Sequence, residues 1–125
     1  MNIILYSLLI AFVIFYIYMK RMSAGINNVG VSEFNALTKG KSTHILDVRT
    51  PMEVREGKIK KAKNIDYKQA SFQQQIEQLK REDTYLVYCR SGIRSMGAAT
   101  KMKRLGFENV YNLKGGYLAW KRAKK

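Results

Sequence analysis

The sequence predicts an α/β fold: one domain with a mainly parallel central sheet flanked by helices, preceded by one transmembrane helix. Three observations carry this. Short apolar runs at 43–48, 84–88 and 107–112 alternate with stretches of helical periodicity, and strands separated by helices favour a parallel sheet. The first 19 residues hold no charged side chain. What remains is about 100 residues, enough for one core.

In order along the chain, the apolar run comes first. From Ile3 to Met19 it is interrupted only by Ser7 and tyrosines. About 18 helical residues span roughly 27 Å, close to the hydrocarbon thickness of a bilayer. An amphipathic soluble helix would show a polar face, and this run has none. A cleaved signal peptide is the competing reading, with Ser23-Ala24-Gly25 resembling a cleavage site. It lacks a basic region before the run, however, and Lys20-Arg21 follow at once, so an anchor over residues 1–21 is expected. Basic residues flanking a span stay on the cytoplasmic side. The expected topology is therefore a single-pass cell-membrane protein with its N-terminus outside and its domain cytoplasmic.

Residues 22–28 read as a linker and 29–125 as the domain. Ser32 is the expected N-cap of a short helix carrying Phe34 and Leu37. A buried strand follows at 43–48. Thr50-Pro51 starts a helical turn that runs through Glu56 and stops at Gly57. Residues 62–65 form a short strand. Phe72, Ile76 and Leu79 mark an amphipathic helix over 69–81. Residues 84–88 form an apolar strand, broken at Cys89–Gly92. A helix then runs over 93–105, with Ala98, Met102 and Leu105 facing the core and Gly106 past its end. A strand at 107–112 and a final helix with Leu118 and Trp120 complete the chain.

Composition narrows the chemistry. The chain has 125 residues, 23 basic, 9 acidic and a net charge of +14. Its hydrophobic content of 46% excludes a disordered or collagen-like chain. One cysteine, Cys89, excludes an internal disulfide framework, and a single histidine, His44, argues against metal clusters and Ser-His-Asp triads. No metal and no cofactor is expected. The lone thiol suits a reducing compartment.

Cys89 stands where a strand ends and a helix begins, the position where open α/β sheets bind ligands. Backbone N–H groups of the following loop can form an anion-binding nest, and the helix N-terminus points at the same spot. Arg90 and Arg94 add positive charge, and Gly92 gives the loop conformational freedom. All of these favour thiolate over thiol, so Cys89 is expected to titrate low. The bland alternative is a packed, inert thiol. It leaves the adjoining glycine and two arginines unexplained.

The loop Cys89-Arg90-Ser91-Gly92-Ile93-Arg94-Ser95 resembles the active-site loop of single-domain rhodanese-like proteins. Leu46-Asp47-Val48-Arg49-Thr50-Pro51 with Glu53, Gly57-x-Ile59 with Ala62-x-Asn64-Ile65, and Leu113-x-Gly115-Gly116-x-x-Ala119-Trp120 resemble three further motifs of that family. The resemblance spans about residues 29–122 and implies a rhodanese-like three-layer domain. It also implies a sulfurtransferase. Cys89 would take the sulfane sulfur of thiosulfate or a persulfide and pass it to a thiophilic acceptor. The N–H groups of Arg90 through Ser95 would hold the transferred sulfur, and Arg94 would close the loop against the donor. Asp47 and Arg49 would brace the loop, with Asp47 expected to pair with a loop arginine. Partners would be a small anionic or thiol donor and a thiol acceptor, which a protein could supply.

Cys89 to Arg94 is a Cys-x4-Arg ring. Related phosphatases use a ring one residue longer, around a tetrahedral oxyanion, and no general acid can be assigned here. The alternative function is a non-catalytic rhodanese-fold binding module at the membrane. Departures from the family include Lys58, Lys60 and Lys61 on a turn, Val54 at a commonly aromatic position, and Ile93 within the loop. Ile93 is expected to narrow or dry the pocket.

Three basic clusters remain: Lys58, Lys60, Lys61 and Lys63; Lys101, Lys103 and Arg104; and Lys121-Arg122 with Lys124-Lys125. Without Lys20 and Arg21, 21 basic residues face 9 acidic ones. With residues 2–19 in a membrane, contact with anionic lipid is an expected use. No nucleic-acid partner is expected, because no recognition motif accompanies the charge.

Overall fold

The computed structural model describes residues 2–24 and 26–124. Met1 of the expected anchor, Gly25 of the expected linker and cleavage-like triplet, and Lys125 of the basic tail lie outside the described residues.

Helix α1 covers Ile3–Ala24. Its segment Ile3–Lys20 is long and apolar enough to cross a bilayer, and none of it is buried against the rest of the chain. A signal sequence would satisfy the same criterion of length and composition.

The strands are β1 (Asn27–Val29), β2 (Thr43–Asp47), β3 (Lys63–Asn64), β4 (Thr84–Tyr88) and β5 (Asn109–Leu113). They form one sheet in the order β1-β5-β4-β2-β3, with every pairing parallel. The helices are α2 (Val31–Leu37), α3 (Pro51–Arg55), α4 (Phe72–Glu77), α5 (Ile93–Arg104) and α6 (Gly116–Ala123).

The strand period of two divides the core. Along β4 and just past it, Tyr85, Val87 and Cys89 face one side, packed with Phe72 and Ile76 of α4 and Ala98, Ala99 and Met102 of α5. Leu86 and Tyr88 face the other, with Phe34 of α2 and Tyr117 and Trp120 of α6 alongside. Helices on both faces of a parallel sheet give the expected three layers.

Local differences from the sequence reading have physical causes. Residues 27–29, expected mainly as linker, form an edge strand, because Asn27, Asn28 and Val29 pair with Tyr111, Asn112 and Leu113. Three residues with two asparagines carry no strand signal of their own, so the sheet edge imposes this one. Gly30, not Ser32, is the N-cap of α2. Helix α4 is shorter than the expected 69–81. Turns closed by Gln69 N–H to Asp66 O and Phe72 N–H to Gln69 O precede it, and the Tyr85 hydroxyl donates to Lys80 O just after it. Leu79 still packs on the core. The capping box at Thr50 and Glu53, with Pro51 at the first position, starts α3 where the sequence places it.

Candidate active site

Parallel pairing aligns the carboxyl ends of β2 and β4, since Asp47 lies beside Tyr88. The segments leaving those two strands therefore meet at one edge. Cys89 follows β4 and is fully buried. The Gly92 N–H donates to its Sγ at 3.1 Å and the Ser95 hydroxyl at 3.3 Å. Gly92 caps α5 with φ of 104°, a conformation that resists a β-carbon. Burial pushes the Cys89 thiol up, but hydrogen bonds from the Ser95 hydroxyl and from the N–H groups of Ser95, Gly92 and Ser91 outweigh it, leaving the thiol below its ordinary value. Sequence reasoning credited the arginines with a share of this lowering. The nest and the hydroxyl lead it; the Arg94 charge also acts on the Cys89 sulfur, although its guanidinium is hydrogen-bonded elsewhere.

Its partner is Glu53. Nη1 and Nη2 of Arg94 reach the two carboxylate oxygens at 2.7 and 2.9 Å, a bidentate pair joining α5 to α3. Asp47 was the expected partner of a loop arginine; this is corrected. Asp47 is committed to Arg49, whose Nε lies 2.9 Å from Oδ1 and whose Nη2 lies 2.7 Å from Oδ2. Asp47 also accepts the Tyr88 hydroxyl at 2.6 Å. Its carboxylate is saturated beneath the sheet end and cannot reach out to the loop. Arg94 draws the Glu53 carboxyl down to about 2, aided by Thr50.

Arg49 donates further to Gly57 O at 2.7 Å and stacks over the Tyr117 ring, 4.4 Å from its centre. Burial, then the Asp47 bond, holds the Tyr88 phenol well above its usual range. Asp47 and Arg49 thus form a floor under the site, not a contact to the loop arginines.

The outer wall of the loop comes from α6. Tyr117 N–H donates to Cys89 O at 2.8 Å and Leu118 N–H to Arg90 O at 3.1 Å. A trans peptide sets C=O and N–H on opposite sides, so carbonyls held by α6 turn the following N–H groups inward. Gly116 makes this approach possible: a β-carbon there would lie 2.5 Å from Arg90 O. Asn112 of β5 donates to Gly92 O at 3.4 Å. Sequence reasoning noted Glu53 and Gly116 within motifs but assigned them no role, and it missed Asn112. Their signal lies in long-range contacts that spacing along the chain does not carry.

Of the predicted loop, Arg90, Ser91 and Ile93 are exposed at the rim, Gly92 and Arg94 are half-buried, and Ser95 is buried beneath Cys89. Ile93 does not narrow the pocket as expected. It is 80% exposed and turns outward, because it occupies the first position of α5 on the side away from the sheet. A cleft of about 190 Å³ beside the loop is lined by residues including Arg49, Glu53, Arg90, Tyr117 and Lys121. A buried thiolate in a ring of donors can attack an electrophilic sulfane sulfur on a small anionic donor, and the ring can stabilise the charge left on the bound sulfur.

Comparison with known proteins agrees with this geometry. The chain is 34% identical over 96 residues to thiosulfate sulfurtransferase GlpE of Vibrio cholerae, covering 77% of this chain and 89% of that protein. It is 30% identical over 123 residues to uncharacterized protein YqhL of Bacillus subtilis, covering 95% of this chain and 92% of that one. A longer relative, tRNA uridine(34) hydroxylase of Pelagibacter ubique, is 35% identical over 74% of this chain, which spans 31% of its length. The structure of the human single-domain sulfurtransferase TSTD1 superposes with a TM-score of 0.65 at 25% identity, covering 78% of this chain and 97% of that one. The family model for the rhodanese-like domain matches residues 30–123, and with its loop, floor and wall in place the chain belongs to that family.

Proposed function

We propose that this protein is a membrane-anchored sulfurtransferase that carries sulfane sulfur on Cys89. One observation supports it above the rest: Sγ sits at the start of α5 with the Gly92 N–H and the Ser95 hydroxyl directed at it. That arrangement favours an anion on Sγ itself and on a sulfur bound to it. The relatives named as sulfurtransferases support the same chemistry.

The reaction has two halves. The Cys89 thiolate attacks the outer sulfur of thiosulfate or of a persulfide. The donor's S–S bond breaks and its electron pair leaves with sulfite or a thiolate, while a new S–S bond joins Cys89 to the transferred atom. The terminal sulfur bears the negative charge, held by loop N–H groups between Arg90 and Ser95. An acceptor thiolate then attacks that sulfur, and Cys89 leaves as thiolate. No net oxidation occurs. Arg94 keeps the loop closed through Glu53, and Arg90 on the rim is free to meet an anionic donor. The domain is taken as 29–125 after a linker at 22–28, and the pairing of β1 from Asn27 supports starting it two residues earlier.

The apolar α1 acts as a single-pass anchor rather than a cleaved leader, with its N-terminus outside and the domain in the cytoplasm. Lys20 and Arg21 directly after the run support that orientation. The match to YqhL covers 95% of this chain and so takes in most of α1.

Mass spectrometry of the full chain after exposure to thiosulfate or glutathione persulfide tests the chemistry. One added sulfur, about 32 Da, is expected on Cys89 and absent from Cys89→Ser. No adduct from either donor would leave the fold as a binding module. Protease added to intact cells should spare the domain; digestion there would reverse the topology.

A further inference from the structure

We infer that the amino-terminal end of the sheet is a lipid-facing surface that takes anionic headgroups, which turns Cys89 away from the membrane. The inference rests on α1 being an anchor and is independent of the chemistry at Cys89.

The covalent tether sets the direction. Helix α1 ends at Ala24 and β1 begins at Asn27. Three steps between Cα atoms reach about 11 Å at most, and the four helical residues after Lys20 add about 6 Å. Asn27 is therefore held within about 17 Å of the end of the apolar span. Asn27 is level with Tyr111 and, through it, with Leu86. The sheet is parallel throughout, so its amino-terminal end points back toward the tether. Thr84 and Asn109 lie about 7 Å nearer that end than Asn27, and Cys89 about 10 Å beyond it. The active-site loop is thus on the far side of the domain.

The near end is built from three adjoining segments. Ser42 O accepts from Thr84 N–H, and Arg81 Nε donates to Leu105 O at 2.7 Å. These contacts bring together Lys39 and Lys41 before β2, Lys80 and Arg81 before β4, and Lys103 and Arg104 at the end of α5. All but Lys103, which is half-buried, are exposed. Four acidic residues, Glu77, Glu82, Asp83 and Glu108, share this end, and Asp83 is occupied by His44 at 2.8 Å. Helices α2, α4 and α5 all finish here, so their carbonyl ends account for some of the basic residues. Charge alone would not choose this end, because the far end also exposes cations such as Lys68 and Lys114. The tether chooses it, and the cations then lie within a Debye length of a headgroup plane.

The test uses the full chain in nanodiscs of phosphatidylcholine, alone or with one-third phosphatidylglycerol. An uncharged amine-acetylating ester is added and each lysine is followed by mass spectrometry. Acetylation of Lys39, Lys41 and Lys80 should slow about threefold or more in the anionic discs, and high salt should abolish the difference. Lys68 and Lys114 should react equally in both. Uniform slowing, or slowing confined to the far-end lysines, overturns the inference. Release of the chain from cell membranes by alkaline carbonate would remove the anchor and this inference together. The persulfide reading would stand, since neither readout depends on Cys89.

Discussion

Two carboxylate–arginine pairs lie within one turn of the same strand end, and they do different work. Asp47 and Arg49 are almost wholly buried, with side chains 0% and 4% exposed; Glu53 and Arg94 are 26% and 23% exposed. The inner pair is tied to the Tyr88 hydroxyl and Gly57 O, so it fixes the β2 and β4 ends to each other and to the turn after α3. The outer pair fixes α5 to α3 across the mouth of the loop. A buried pair is costly to break from one side, whereas a pair about a quarter exposed is better screened by solvent and contributes less to stability. The contrast teaches that ion pairs beside the Cys89 loop divide into a floor that the fold requires and a clasp that the loop requires.

Arg49→Ala presses hardest on that contrast. It strands the Asp47 carboxylate and should cost about 3–5 kcal/mol in chemical denaturation. A loss below about 1 kcal/mol would mean that Tyr88 and solvent satisfy Asp47 unaided, and the floor would lose its special standing.

Arg94→Ala should cost only about 1 kcal/mol of stability. It should nevertheless lower sulfur transfer by about tenfold or more, because the loop N–H groups lose their alignment. Equal losses in stability and turnover would make the clasp a second floor.

The smallest effect is one of pH. Glu53 has its folded-state value lowered to about 2, from an ordinary 4.5. A lowered carboxyl contributes stability above the unfolded value, and that stability is lost as pH falls from about 4.5 toward 2. Glu53→Gln should flatten the acid limb of the stability curve in that window and leave it unchanged near neutrality in slope. An identical acid limb in the variant would show that the pair does not persist in solution.

Much of this was legible in the sequence. The strand at 84–88, the helix after Cys89 and the start of α3 at Thr50-Pro51 all followed from local signals, namely an apolar run, a core-facing helical stripe and a proline at the first helical position. The loop around Cys89 was legible for the same reason, since strand, turn and helix are contiguous there. What was not legible depends on partners distant in sequence. Strand β1 exists only because β5 offers an edge. Glu53 reaches Arg94 across 41 positions, and Gly116 is needed only because α6 presses on the Arg90 carbonyl. The outward turn of Ile93 likewise follows from its place on α5, which the loop motif alone does not fix.

The central claim is that hydrogen bonds, not burial, decide the state of the one thiol. Alkylation of Cys89 by iodoacetamide in the folded chain, followed across pH, measures it directly. The rate should rise to a plateau with a midpoint below the ordinary thiol value of about 8.5, and Ser95→Ala should move that midpoint upward. A midpoint at or above that value, or a native thiol that the reagent never reaches, would contradict the account.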